Sequence, residues 1–135
     1  MANALYDKGR QGFLEGDIDW TGDNIKLLLV DTADYTVDLA THDFLDDVPV
    51  AARVATSGNL GSKTATDGVA DAADVTLSSV SGDQSEAIVI FQDTGVESTS
   101  RLIAYIDTAT NLPVTPNGGD ITIQWDNGAN RIFKL

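Results

Sequence analysis

This chain of 135 residues has no cysteine, one histidine (His42), three prolines and only eight basic residues against 21 acidic ones. Each scarcity closes a class. Without cysteine there is no disulfide, no thiolate metal site and no thiol nucleophile, so stability must come from packing or assembly. With one imidazole, Ser-His-Asp chemistry has one possible base, and it sits in the polar run Thr41-His42-Asp43 with no Gly-x-Ser-x-Gly turn in the chain. That placement predicts a solvent-facing loop histidine. A formal charge of −13 repels phosphate, and the scattered basic residues lack interleaved aromatics, which argues against a nucleic-acid partner. The glycine-rich patterns that cradle phosphates are missing as well. No apolar run approaches the ~20 residues of a membrane span, and no basic-then-apolar leader opens the chain. The expectation is a soluble protein made in a cytoplasm, with no membrane partner.

What is present is a coat of carboxylates and a series of short apolar blocks. The acids are spread along the whole chain rather than gathered in a tail, as on a folded surface. Such a surface resists non-specific association and favours basic partners. The length fits one domain over 1–135 that buries roughly two thirds of its unfolded surface.

Residues 2–15 carry the one helical pattern. Leu5, Tyr6, Gly9, Gly12 and Phe13 share a broad face at three- and four-residue spacings, with Asn3 as N-cap and Gly16 as stop. Its two interior glycines each cost about 1 kcal/mol relative to alanine, so the helix needs something to lie against. The same glycines permit close backbone approach to it. The rest, 24–135, reads as strand: IKLLLV (25–30), 52–56, 75–80, AIVIF (87–91), LIAYI (102–106), ITIQW (121–125) and RIFKL (131–135). Residues 44–48 suggest one helical turn capped by Asp43 and closed by Pro49, and 57–74 a long polar loop or a pair of edge strands. Asp126-Asn127-Gly128 signals a hairpin. The predicted class is all-β: an antiparallel β-sandwich or jelly-roll-like barrel of about six to eight short strands with one N-terminal α-helix.

Chemistry has few candidates. Carboxylate pairs such as Asp17/Asp19, Asp46/Asp47 and Asp71/Asp74 are numerous enough to arise by composition, so no catalytic residue and no organic cofactor is expected. The acidic loops 31–38 and 67–74 could offer oxygen ligands to Ca²⁺ through Asp31, Asp34, Asp67 and Asp71, although neither has EF-hand spacing. Trp125 alternates with Ile121 and Ile123 and should fill the core. Trp20 could staple the helix to the sheet or insert into a partner. The residues expected to contact a partner are Leu5, Tyr6, Phe13, Trp20, Phe133 and Leu135, on the helix and the closing strand.

Four segments carry a resemblance: ALYDKGRQGFLEGDID (4–19), IKLLLVDTADYTV (25–37), RVAT with TATDGVADAAD (53–56 and 64–74), and LIAYIDTATNLPVTPNGGDITIQWDNGANRIFKL (102–135). Together they resemble a family of small structural proteins of tailed-bacteriophage virions. The resemblance implies lineage and no transferable functional residues. It implies a particle component assembled in the host cytoplasm, first as a capsid decoration (cement) protein on the major capsid protein lattice. The alternative within the virion is a tail, neck or baseplate part. From other classes come a carbohydrate- or calcium-binding adhesion module and, last, a small hydrolase. Self-association is expected, with a trimer favoured over a dimer.

Overall fold

The computed structural model describes residues 3–129 and 131–135. Its frame is one five-stranded antiparallel sheet in the order β1-β7-β6-β2-β3, built from Ala4–Leu5 (β1), Ile25–Val30 (β2), Arg53–Thr56 (β3), Ala87–Gln92 (β6) and Leu102–Ile106 (β7). The apolar runs of β2, β6 and β7 are nearly continuous rather than alternating, because both faces of the sheet are covered. Every residue of β6 is buried.

Ile25, Leu27, Leu29, Ile88, Ile90 and Ile103 point to the first core, while Leu28, Val30, Val89, Phe91, Leu102 and Tyr105 point to the second. Two two-stranded ribbons cover the first face: Val69–Ala70 (β4) with Phe133–Lys134 (β9), and Val75–Leu77 (β5) with Ile121–Ile123 (β8). The segment between β2 and β3 covers the second face with Tyr35, Leu45, Val48 and Ala52. A bulge in β7 places the consecutive Ile103 and Ala104 on the same side, opposite the Ile90/Phe91 step of β6.

The all-β antiparallel class with one helix is as expected. Where a second sheet was expected, however, the cover consists of two separate ribbons. The described residues hold nine strands, several of them only two residues long.

The helix (α1) runs Asp7–Leu14, shorter than the expected 2–15. Residue 2 lies outside the described residues. Ala4 and Leu5 pair with Tyr105 and Ala104 instead of coiling. Extended backbone sends Leu5 into the first core and Tyr6 into the second, whereas helical spacing would put both on one side. Asn3 is not the helix cap: its Oδ1 accepts from the Asp107 and Thr108 amides, and Tyr6 occupies the cap position with no side-chain bond. The expected close approach is present. A Cβ on Gly9 would lie 2.6 Å from the Leu102 carbonyl oxygen, so α1 rests directly on the bulged backbone of β7.

The Asp126-Asn127-Gly128 turn does not make a β8–β9 hairpin. Asp126 Oδ1 accepts from the Gly128 amide, but β8 goes on to pair with β5 and β9 with β4. Locally satisfied turn chemistry leaves open which strand the exit pairs with. The 57–74 tract is mostly loop and contributes β4, and a 3-10 turn forms at Leu45–Asp47 as the 44–48 pattern suggested, but Phe44 rather than Asp43 holds the cap position, with no side-chain bond.

Candidate functional site

A cluster of hydrogen-bonded aromatic polar groups lies on the second face. Tyr6 follows β1 and is fully buried, Tyr35 comes from the covering segment, and their hydroxyls are 2.8 Å apart. The Tyr35 hydroxyl is also 2.9 Å from His42 Nδ1, and the two rings stack with centroids 5.4 Å apart. His42 is therefore half-buried and doubly engaged, which corrects the solvent-facing expectation.

The Asp38 amide assigns a proton order here, in which two donors share the single Nδ1 lone pair. A backbone N–H can only donate, and it donates to His42 Nδ1 at 3.2 Å. Nδ1 is thus an acceptor and the ring proton sits on Nε2. Tyr35 then donates to Nδ1, and Tyr6 donates to Tyr35. Burial pushes the Tyr6 phenol far above its ordinary range, and pushes Tyr35 up to about 12. Both hydroxyls stay protonated as this chain of donors requires. The Asp38 carboxyl is held below the usual range by its hydrogen bonds with Thr41 and then with the Ala40 amide.

Two clefts open at the surface. The first, about 220 Å³, has Leu28, Leu45 and Phe91 in its lining. Lys26 pairs with Asp93 at 2.7 Å and Arg53 with Glu97 at 2.8 Å across it. Arg53 also donates to the carbonyls of Leu45 and Val48. The Lys26 and Arg53 hydrogen bonds hold Asp93 and Glu97 below the ordinary carboxylate range. These four charges form two ion pairs.

The second cleft, about 410 Å³, includes Thr64, Asp67, Asp71, Asn127 and Arg131. Arg131 Nη1 donates to Asn127 Oδ1 at 3.1 Å, and its Nε lies 4.0 Å from Asp71.

The four expected calcium ligands are thus divided. Asp67 and Asp71 share the second cleft, with a guanidinium beside Asp71. Asp31 and Asp34 meet Asp83, their carboxylate oxygens within 4.8 Å of one another. Asp83 was not among the expected ligands, because it arrives from the segment before β6. Asp43, Asp46 and Asp47 form a second such group. Many single acids have a local task instead. Asp19, Asp31, Asp38, Asp93 and Asp126 each accept backbone N–H groups two or three residues on, closing turns.

Three of the expected partner contacts are occupied inside the chain: Leu5, Tyr6 and Trp20 are at most 7% exposed. Trp20 staples rather than inserts. Its ring meets Phe133 edge-on at 5.3 Å, its Nε1 donates to the Asp71 carbonyl, and Phe13 of α1 lies 6.0 Å from Phe133. Phe13 and Phe133 are half-buried, and Leu135 is exposed. Leu14, Val50 and Val96 are also exposed apolar side chains, and the helical-face reading had not singled them out. Trp125 fills the core as expected. Arg101 was missed as a tie: it donates to the Lys8 carbonyl and to Asp17, and its guanidinium lies over the Phe44 ring at 5.1 Å. These partners lie far away in the chain, so no local signal marks it.

Comparison with family models and with curated proteins finds no match for this chain.

Proposed function

We propose that the chain is a structural protein of a tailed-phage virion, a capsid decoration (cement) protein that docks on the major capsid protein lattice at the outer surface of the head. The resemblance of segments 4–19, 25–37 and 102–135 to such proteins supplies the lineage. The observation that carries the role is how the polar groups are used. The one imidazole is bound into a buried tyrosine chain, the ion-paired residues of the first cleft neutralise one another, and many acids close turns. What the chain offers outward is a surface of high negative charge with separate apolar side chains such as Leu14, Val50, Val96 and Leu135.

That surface suits many modest contacts to basic patches of a lattice. Repetition over the head adds avidity, so each contact can be weak. Assembly in the host cytoplasm and self-association, as a trimer before a dimer, belong to the same proposal. Cryo-electron microscopy of purified particles carrying the protein tests it. Density for this domain repeated over the head lattice is the expected result. Density confined to the neck, tail or baseplate overturns the decoration role in favour of a part there.

A further inference from the structure

Proton uptake at His42 Nδ1 would turn an acceptor into a donor facing two donors. Tyr35 can answer by rotating its O–H toward Tyr6 and accepting. The Asp38 amide cannot reverse, and its 3.2 Å bond to the ring is lost. We infer that His42 is a pH-sensitive latch: neutral, it pins the 38–42 turn over the second face of the sheet, and protonated at Nδ1, it lets that turn loosen.

The loop is otherwise tied to the frame by the Asp7 amide donating to the Leu39 carbonyl at 2.8 Å, the Leu102 amide donating to the Asp43 carbonyl at 2.9 Å and the Tyr6–Tyr35 hydroxyl pair. Loosening of the 38–42 turn therefore reaches the first turn of α1 through Leu39. The groups facing the network come from each neighbouring element. Asp38 lies in the loop itself, Asp43 follows His42, and Asp47 in the 3-10 turn faces Tyr6 and Tyr35. Tyr105 of β7 lies 6.4 Å from Tyr35, with Asp107 and Glu86 beyond it. Of these carboxylates, that of Asp38 interacts directly with the His42 ring.

The test is imidazole ¹⁵N NMR together with amide exchange, at one pH above and one below the midpoint that the ¹⁵N shifts themselves report. At the higher pH the expected result is an unprotonated Nδ1 and a protected Asp38 amide. At the lower, protection across 38–42 should drop by about tenfold after correction for the intrinsic exchange rate. His42→Asn places Oδ1 where Nδ1 lies; it accepts but cannot charge, so protection should become independent of pH over this range. A proton on Nδ1 at the higher pH, or unchanged wild-type protection, overturns the latch. So does a pH response that persists in His42→Asn. Should that variant not fold, the wild-type nitrogen shifts and exchange still decide.

Discussion

Replacing Gly9 by alanine tests the seat of the helix on the sheet. The added methyl would lie 2.6 Å from the Leu102 carbonyl oxygen and 3.1 Å from Ile103 Cα and its carbonyl oxygen. All three obstacles are backbone atoms of a strand paired on both sides, so nothing can rotate away. The helix must retreat instead, and a gap of roughly 0.5–1 Å forfeits a quarter to a half of the dispersion contact along the seam. Overpacking of this kind costs about 1–3 kcal/mol, against about 1 kcal/mol gained from alanine's helix propensity. The net expectation is a loss of up to about 2 kcal/mol, or a fall in Tm of up to about 8 °C for a domain of this size. Two companions calibrate it by urea denaturation. At Gly12 the methyl meets the Ile18 side chain at 2.8 Å and Arg101 Cδ at 3.2 Å, which can shift, so Gly12→Ala should cost less. At Gly58 nothing lies within 4 Å, and Gly58→Ala should be neutral or stabilising by about 0.5 kcal/mol through the unfolded chain. A Gly9→Ala protein stabilised by about 1 kcal/mol, as helix propensity alone would make it, would refute the close seating of α1.

Acid should weaken the fold through its turn-closing carboxylates. Asp19, Asp38, Asp93 and Glu97 are held below their usual range by hydrogen bonds, from the Gly22 amide, Thr41, Lys26 and Arg53 respectively. Groups depressed in the folded state stabilise it above their unfolded values, about 4, and that contribution is lost as pH falls through the folded ones. The urea midpoint should therefore be lower at about pH 3 than at about pH 7; an equal or higher midpoint would contradict this. Asp83→Asn should raise the midpoint at low salt, because it relieves repulsion from Asp31 and Asp34, and the gain should shrink at about 1 M salt. A calcium-dependent loss of stability in that variant would instead mean that the three carboxylates hold a cation.

Which segments become central strands was legible locally. IKLLLV, AIVIF and LIAYI are short apolar runs between turn residues, and a sheet covered on both faces asks for that pattern. The glycines of α1 likewise announced a close neighbour, because nothing else justifies two poor helix formers in eight residues. The helix start was misjudged at Tyr6, since spacing alone cannot show that the Ala4–Leu5 backbone finds better partners in β7 than in a helical turn. Asp126-Asn127-Gly128 declared a turn, but which strands flank it in space depends on where β4 and β5 were left uncovered.

The candidate site was the least legible part. Tyr6 and Tyr35 are 29 residues apart, and His42 reads as one more polar loop residue. The sequence by itself determined the class, the acidic surface and the poverty of catalytic groups, because these follow from composition and from short-range periodicity. Tertiary structure alone decided that the lone histidine would be an acceptor beneath a tyrosine pair. Tyr35 and Asp38 lie within seven residues of His42, but Tyr6, which engages the Tyr35 hydroxyl, joins them only when the 31–52 segment folds across the sheet.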